Sequence, residues 1–283
     1  MIDVACYNCR STNNSLYAME NGCNLVKCAS CGLLYVNPRP SDDEIDDGVK
    51  IGAHRGDETL NSTGHYMPIK VALYHKILPD IYGNELASQK STWLDVGCGH
   101  GELLATLRKL YGDNVQASGI EPNRHKIDAA RLRGLDVDYF DLASHRKKYD
   151  TISLLNVYSH LPNPCEFLQV VKQRLVPGGE ILLETGDTAN LPPDEHPRPF
   201  LLPDHLSFTS AEILSRILSE VGFKVISITK YPHLKLRFAA ATLPKEVVKL
   251  FLPNKHSHFR SMYTYLKANK YRTDMWIRAK VVN

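Results

Sequence analysis

The sequence predicts an α/β fold, in which a mostly parallel sheet of seven strands lies between helices and a small cysteine-rich head precedes it. Two observations lead to this prediction. From residue 91 onward, short apolar runs typical of strands alternate with amphipathic stretches typical of helices, which is the pattern of a parallel sheet with helices on both faces. Ahead of them, four cysteines form two C-x2-C pairs. A chain of 283 residues accommodates one such domain and a small appendage.

Composition excludes some classes of protein. The chain is 43% apolar and 23% charged, which is typical of a globular domain. No apolar run approaches the roughly 18 residues of a membrane span, and the start MIDVACYNCR has no apolar signal segment. We therefore expect no membrane span and a cytoplasmic location. Residues 231–283 hold eleven Lys and Arg against Glu246 and Asp274, so this tail is either a solvated face or a surface for an anionic partner.

Residues 1–40 predict a structural zinc ribbon. Two residues between ligands let one turn aim two thiolates at one ion, and two such turns complete a tetrahedral shell. The predicted ligands are Cys6, Cys9, Cys28 and Cys31. A closed shell leaves no open coordination position, so we expect the metal to support folding rather than catalysis. The alternative is four reduced cysteines packed as small apolar side chains. Residues 41–90 are predicted to form a mostly helical cap that leads into the main domain.

The stretch WLDVGCGHGELLATL joins a buried strand to an amphipathic helix through a G-x-G-x-G turn, whose glycines are Gly97, Gly99 and Gly101. This spacing differs from the G-x-G-x-x-G of dinucleotide loops, and no G-K-[ST] of a phosphate-binding loop is present. Asp95 stands two positions before the first glycine. A carboxylate there would repel a pyrophosphate but suits a positive amino or sulfonium group. Glu121, at the end of the second strand, is placed to accept hydrogen bonds from a ribose.

The remaining elements follow in order. Further strands are predicted at VDYF, YDTISLLN, EILLET, FKVISITKY and DMWIRAKVV, and further helices at NRHKIDAARLRG, CEFLQVVKQRLV and AEILSRILSEVG. Asn163 and Pro164 supply a predicted N-cap and first-turn proline. Thr209 and Glu212 are predicted to form a capping box at the start of the last helix.

From Trp93 to Thr229, together with the last strand, the chain resembles the class I S-adenosylmethionine-dependent methyltransferases. DVGCGHG resembles their first motif, Glu121 their ribose-binding acid and LVPGGEILLE the approach to their fifth strand. The resemblance implies a Rossmann-like sheet with S-adenosylmethionine as cofactor. It also implies that Asp141 meets the adenine amine and that Asn156 lies beside the methionyl moiety. The cysteine-rich head running into CGLLYVNPRPSDDEI resembles a bacterial subgroup that includes deoxysugar C-methyltransferases.

A hydroxyl or carbon acid that accepts a methyl group must lose a proton, so a base is expected on the loops after strands four and five. His160 follows strand four. Asp204 and His205 lie after strand five in DHLSFTS, which resembles an acid–histidine pair of the sugar C-methyltransferases. Neighbours in an extended segment point apart, so these two are not expected to form a hydrogen-bonded dyad. The alternative is that the histidines brace loops or touch the cofactor. Asp187 and Tyr158 are the next candidates for the base.

Residues 91–283 are thus predicted to form a methyltransferase domain that acts on a polar small molecule, such as a sugar or a nucleotide-linked or phosphorylated metabolite. Its basic segment, residues 233–272, is predicted to cover the site as a helical lid and favours an anionic substrate. One alternative is an RNA methyltransferase whose ribbon and tail hold the nucleic acid. The ribbon has only Arg10 and Lys27 between its cysteines and lacks a series of stacking aromatics. A second alternative is a non-catalytic zinc-ribbon binding module. The intact glycine loop and the acids Asp95 and Glu121 argue against this alternative.

Overall fold

The computed structural model of the chain describes residues 1–142, 145–232 and 272–282. Its strands are β1 (Asn14–Glu20), β2 (Cys23–Cys28), β3 (Leu34–Val36), β4 (Ala53–Arg55), β5 (Thr59–Asn61), β6 (Ser91–Val96), β7 (Val115–Glu121), β8 (Val137–Tyr139), β9 (Tyr149–Leu155), β10 (Leu175–Gly186), β11 (Ser207–Phe208), β12 (Phe223–Tyr231) and β13 (Asp274–Val281). Its helices are α1 (Asp42–Ile51), α2 (Pro68–Tyr82), α3 (Glu85–Ser88), α4 (Glu102–Tyr111), α5 (Arg124–Arg131), α6 (Pro164–Gln173) and α7 (Ala211–Val221).

The central sheet has seven strands in the order β12-β13-β10-β9-β6-β7-β8. The strands from β8 to β10 pair in parallel, and β13 runs antiparallel to both β10 and β12. Chain order reverses at β6, because β7 lies on one side of it and β9 on the other. All seven predicted strands are present, and the predicted Rossmann-like, mostly parallel sheet is confirmed.

The sheet is buried on both faces. On β6, Trp93 lies in a core that contains residues of α2 and α4, whereas its neighbour Leu94 lies in a second core with residues of α6 and α7. On β10, Leu182 and Leu183 divide between the two cores in the same way. Since successive side chains of a strand point to opposite faces, apolar residues at both positions require helices on both sides.

The helix starts agree with the sequence at one position and differ at another. Asn163 caps α6 with its side chain, and Pro164 occupies the first turn. The capping box predicted at Thr209 is wrong, since α7 is capped by Ser210, whose Oγ accepts a hydrogen bond from Ile213 N at 3.3 Å. Thr209 instead belongs to the preceding extended segment, where its carbonyl accepts from Thr188 N at 2.9 Å.

The segment of residues 41–90 contains the three helices α1, α2 and α3 and also a short hairpin that the sequence did not predict. Ser41 and Glu44 form a capping box at the start of α1, and three acids in its first turn lie favourably at the positive end of the helix dipole. Strands β4 and β5 then form an antiparallel hairpin before α2. These strands are three residues each, too short to show an alternating pattern in the sequence.

The cysteine-rich head is joined to the main domain by a shared sheet. Strands β1, β2 and β3 pair antiparallel, and β11, from the segment after β10, pairs with β3 as the fourth strand. Leu25 and Val36 of the head and Phe200 and Leu202 of that segment lie in one core. Residues of the head therefore pack directly against the segment that carries Asp204 and His205.

Two further predictions concern the outer parts of the chain. In the part that the structure describes, no helix is both long enough and apolar enough to cross a bilayer. The predicted basic lid, residues 233–272, lies outside the described residues except for Arg272.

Candidate functional site

The glycine loop between β6 and α4 combines two glycines required by packing with one that leaves space. Gly97, Gly99 and Gly101 all have positive φ, at +67°, +56° and +86°, which L side chains rarely adopt. A Cβ on Gly97 would lie 2.7 Å from Val157 Cγ2, and one on Gly101 would lie 2.4 Å from Leu135 Cδ1. A Cβ on Gly99 would meet nothing within 3.4 Å. The middle glycine therefore has open space above its backbone, where a ligand can approach.

Asp95 lies in an acidic environment suited to a cation. The side chain is 3% exposed, and its Oδ1 accepts a hydrogen bond from Ser153 Oγ at 2.6 Å. Burial, followed by the nearby carboxylates of Glu102 and Glu121, raises the pKa of Asp95 to about 7, although the Ser153 hydrogen bond lowers it. Three buried carboxylates around one loop attract a positively charged ligand and repel a pyrophosphate. An ammonium or sulfonium fits this charge.

Glu121 ends β7 and faces the same loop. It is 4% exposed, and its Oε2 accepts a hydrogen bond from Gly99 N at 2.9 Å while Oε1 accepts one from Asn123 N at 3.1 Å. These two bonds fix the orientation of the carboxylate. Each oxygen keeps a second lone-pair position, which is what a ribose with two neighbouring hydroxyls requires.

Asn156 and Asp141 follow the two strands on either side of the β6–β7 pair. Asn156, just after β9, has φ of +56°, and its backbone N donates to Glu184 O at 3.1 Å. Asparagine tolerates this backbone region better than most residues. Asp141 lies two residues after β8 and is exposed. All seven predicted cofactor residues thus lie near the carboxyl ends of four adjacent strands, at the edge where such sheets bind ligands.

The three predicted catalytic residues lie close together although His160 comes from a different segment than Asp204 and His205. His160 Nδ1 lies 3.2 Å from Asp204 Oδ1 and 2.9 Å from the backbone oxygen of Asp204. The ring of His205 stands edge-on to that of His160, with 4.7 Å between centroids. Because carboxylate and carbonyl oxygens carry no proton here, Nδ1 of His160 is the donor. This donor role leaves Nε2 of His160 to accept a proton or hydrogen bond when the ring is neutral.

Asp204 is held ionised by its neighbours. Burial opposes ionisation, but the charge of His160 and the hydrogen bonds from His160 and His54 hold the pKa of Asp204 well below its ordinary value. For His160, burial favours the neutral ring, yet the Asp204 carboxylate raises the pKa of His160 above its ordinary value. Asp204 therefore stays ionised and favours the protonated form of His160, next to His205.

His54 was missed by the sequence prediction. It lies on β4, is 6% exposed, and its Nε2 lies 2.9 Å from the same Asp204 Oδ1 that His160 contacts. Gly48 leaves room for the His54 ring, since a Cβ there would lie 2.6 Å from His54 Nδ1. A lone histidine in a short segment without periodicity carries no signal, since only the hairpin brings it to Asp204.

The two reserve candidates for the base have other contacts. Asp187 accepts a hydrogen bond from Ala211 N at 2.9 Å at the start of α7 and forms an ion pair with Lys230. Tyr158 is fully buried, and its hydroxyl lies 3.2 Å from the hydroxyl of Tyr7. Neither Asp187 nor Tyr158 lines the cavity that His205 lines.

A cavity of about 300 Å³ lies beside Asn156 and His205, both of which line it. Tyr74, Phe208 and Trp276 contribute aromatic walls. Several lining residues hold a buried polar atom without a hydrogen-bond partner among the described residues, namely Thr188 Oγ1, His196 Nε2, Thr273 Oγ1 and Trp276 Nε1. Buried polar groups are rarely left unpaired, so these four atoms are unusual positions in the residues that line the cavity.

The four cysteine sulfurs of the head converge. Cys6 Sγ lies 3.5 Å from Cys31 Sγ, and Cys9 Sγ lies 3.4 Å from Cys28 Sγ, and all four sulfurs lie within 4.8 Å of one another. A tetrahedral zinc ion with bonds of about 2.3 Å separates its sulfurs by about 3.8 Å. The donor set and its spacing fit zinc.

The two C-x2-C turns have the same backbone geometry. Arg10 N donates to Cys6 O at 2.8 Å, and Gly32 N donates to Cys28 O at 3.0 Å. Arg10 and Gly32 have φ of +62° and +79°. Two matching turns facing each other are the arrangement that presents four thiolates to one ion.

The chain is similar in sequence to known methyltransferases. A family model described as a methyltransferase domain matches residues 68–228, more than half of the chain. The ubiquinone biosynthesis O-methyltransferase of Shewanella halifaxensis is 26% identical over 128 residues, which cover 42% of this chain and 50% of that protein. The chain thus spans about half the length of the curated relatives it matches.

Solved structures share its fold. A putative sarcosine dimethylglycine methyltransferase from Galdieria sulphuraria aligns with a TM-score of 0.56 at 14% identity, over 77% of this chain and 92% of that one. A SAM-dependent methyltransferase from Archaeoglobus fulgidus aligns with a TM-score of 0.50 at 20% identity, over 75% of this chain and 93% of that one. The family match shows that the chain belongs to the methyltransferase-domain family, with a class I S-adenosylmethionine-dependent methyltransferase domain whose fold the solved structures share.

Proposed function

We propose that this chain transfers a methyl group from S-adenosylmethionine to a polar small molecule, with His205 removing the acceptor's proton. One observation carries the proposal, namely the cavity that is lined at once by Asn156 and by His205. Asn156 follows β9, next to the predicted methionyl end of the cofactor, and His205 belongs to the histidine cluster. A methyl donor and a base on one cavity are what an in-line transfer needs.

The cofactor, when bound, supplies an electrophilic methyl group on a sulfonium. Asp95 would pair with its ammonium, Glu121 with the ribose hydroxyls and Asp141 with the adenine amine. Gly97, Gly99 and Gly101 shape the loop, and the open space above Gly99 admits the methionine part. The acidic surroundings of Asp95 support this assignment because they favour a cation over a phosphate.

His205 is the member of the cluster that lines the cavity, so we assign it the base. His160 and Asp204 would hold its ring in place from the side away from the acceptor. His196 also lines the cavity, but burial lowers its pKa to about 4. At neutral pH His196 is a weak base, suited to accept a hydrogen bond rather than a proton.

The acceptor is proposed to carry several hydroxyl or amide groups and one apolar face. The unpartnered polar atoms of the cavity residues would pair with the hydroxyl or amide groups, and the aromatic walls would contact the apolar face. A sugar or a nucleotide-linked metabolite has this composition, and Lys70 offers one positive charge for a phosphate. The relatives named for ubiquinone biosynthesis are O-methyltransferases, and an oxygen acceptor also suits a histidine base.

We also propose one structural zinc ion held by Cys6, Cys9, Cys28 and Cys31. Their sulfur spacing supports it, and a closed four-thiolate shell has no open position for chemistry. Such thiolates persist where the cell keeps thiols reduced, which favours a cytoplasmic location. RNA remains the alternative acceptor, and the labelling assay described next distinguishes RNA from a small molecule.

The test is to incubate the protein with methyl-labelled S-adenosylmethionine and either a metabolite extract or total RNA. We expect label in the metabolite fraction with the wild-type protein and with His75→Ala, an exposed helix control, and much less with His205→Ala. Label in RNA alone would establish the alternative. No label in either fraction, despite cofactor binding measured by calorimetry, would contradict methyl transfer to such acceptors.

A further inference from the structure

The side chain of Tyr7, in the first cysteine turn, leaves the head and packs into the methyltransferase domain. Tyr7 lies between Cys6 and Cys9, and its hydroxyl donates to Ser207 Oγ at 3.2 Å. The same hydroxyl lies 3.2 Å from the hydroxyl of Tyr158. Tyr158 stands two residues before His160, and Ser207 stands two residues after His205. One hydroxyl therefore touches both segments that carry the paired histidines.

The contact is buried. Tyr158 is fully buried and Ser207 is 1% exposed, so water cannot easily replace a lost partner. Cys165 Sγ, at the start of α6, also lies 3.8 Å from the backbone oxygen of Tyr7. Tyr7 is thus fixed at its backbone and at its hydroxyl, while the adjacent thiols are part of the cysteine cluster.

The two histidine segments are joined to each other and to the second cysteine turn. Leu206 N donates to Ser159 O at 2.7 Å, and Val36 N donates to Leu206 O at 2.9 Å. Val36 ends β3, which begins three residues after Cys31 and pairs with β11. Both cysteine turns therefore lead directly into contacts with the segments around His160 and His205.

We infer that Tyr7 is a positioning residue, whose hydroxyl transmits the geometry of the closed cysteine turn to the segments of His160 and His205. The inference rests on the proposed function, because it takes His205 as the base, His160 as the residue that holds its ring, and the cysteines as the metal site. In this role the head belongs to the catalytic apparatus rather than to a separate binding module. Loss of the metal would release Tyr7 and allow the two histidine segments to move apart.

The variant Tyr7→Phe tests this by removing one oxygen and keeping the ring. Its matched control is Tyr35→Phe, since the Tyr35 hydroxyl is also in the head but contacts Asn14 instead. Zinc content, affinity for S-adenosylhomocysteine and hydrogen exchange by mass spectrometry are measured on both, without any acceptor. Exchange is followed in peptides covering 158–161 and 205–207, whose backbone amides include the bonded His160 N and Leu206 N.

We expect Tyr7→Phe to keep one zinc per chain and wild-type cofactor affinity, while exchange in those two segments rises about fivefold. Tyr35→Phe should leave hydrogen exchange in both segments unchanged. Removing zinc from the wild-type protein with a chelator should raise exchange in the same two segments. With an acceptor in hand, kcat of Tyr7→Phe should fall with an unchanged KM for the cofactor.

Unchanged exchange in both segments would overturn the inference, as would a rise spread evenly over head and sheet, which indicates a general loss of stability. If Tyr7→Phe fails to fold, Ser207→Ala and Tyr158→Phe remove the partner hydroxyls one at a time and must give the same localised rise. The exchange readout needs no methyl transfer. A protein that transfers no methyl group but shows the localised rise would contradict the proposed function, while still showing that the Tyr7 hydroxyl holds the two histidine segments in place.

Discussion

In the proposed site, the half assigned to the cofactor and the half assigned to the acceptor are assembled in different ways. The cofactor half consists of Asp95, the glycine loop, Glu121, Asp141 and Asn156, which follow the ends of adjacent parallel strands. The acceptor half consists of His54, His160, Asp204 and His205, which come from a hairpin, a turn after β9 and a long segment after β10. The first half is positioned by one sheet, whereas the second depends on contacts between segments distant in sequence.

This difference predicts that the two halves can be disturbed independently. The sheet that carries the cofactor half has cores on both faces. The acceptor half is supported instead by the cysteine-rich head, through the pairing of β3 with β11 and through the hydroxyl of Tyr7. Changes in the head should therefore reach the acceptor half before they reach the cofactor half.

The largest expected effect is that of Cys9→Ser on metal binding. Structural zinc in small peptides contributes on the order of 10 kcal/mol, so loss of one thiolate should abolish retention of zinc and lower the unfolding temperature. Elemental analysis and thermal unfolding measure this. Cys165→Ser, a cysteine outside the cluster, should keep its zinc. A Cys9→Ser protein with full zinc content would refute the four-cysteine site.

The next effect is on turnover. His205→Ala should lower the rate by about 10² to 10⁴-fold, the usual contribution of general acid–base catalysis, and should leave the affinity for S-adenosylhomocysteine unchanged. The exposed His75→Ala should change neither quantity. If His205→Ala instead weakened cofactor binding and kept its turnover, the division between the two halves would be wrong.

Glu121→Gln should have the opposite profile. Hydrogen bonds to charged groups contribute about 1.5–3 kcal/mol each, so the affinity for S-adenosylhomocysteine should fall about tenfold to a hundredfold. Glu212→Gln, an exposed position on α7, is the control. Calorimetric titration measures both, and an unchanged affinity would show that Glu121 does not bind the ribose.

The smallest expected effect is a pH dependence of the affinity for S-adenosylhomocysteine, which should arise from the cofactor half alone. Asp95 must be ionised to pair with an ammonium, and its pKa in the unliganded protein is about 7. Affinity should therefore fall as the pH drops below 7, by up to about tenfold per unit, and Asp95→Asn should show a flat profile.

The same shift has a consequence for stability. Because the folded pKa of Asp95 lies above its ordinary value, ionisation is less favourable in the folded state than in the unfolded state. The unliganded wild-type protein should lose stability relative to Asp95→Asn as the pH rises from about 4 to about 7. Equal slopes of unfolding free energy against pH in the two proteins would contradict this.

Local patterns in the sequence predicted the seven strands, the glycine loop and the acids beside it, whereas the order of the strands in the sheet came from the structure. The acids could be predicted because Asp95 and Glu121 lie within a few residues of the strand ends that position them, and parallel strands bring such ends to one edge. The two cysteine pairs were also predicted from the sequence, since the ligand spacing within each turn is a local property. The hairpin of β4 and β5 within the predicted helical segment was missed, because strands of three residues leave no periodicity to detect.

The acceptor half was decided by the tertiary structure. His54 and His160 are separated by about a hundred residues, and only the packing of the hairpin and the segment after β10 against the turn after β9 brings both to Asp204. The same holds for Tyr7, whose place between two cysteines gave no indication that its hydroxyl reaches Tyr158 and Ser207. Contacts between distant segments depend on how the elements pack, and spacing along the chain does not encode that.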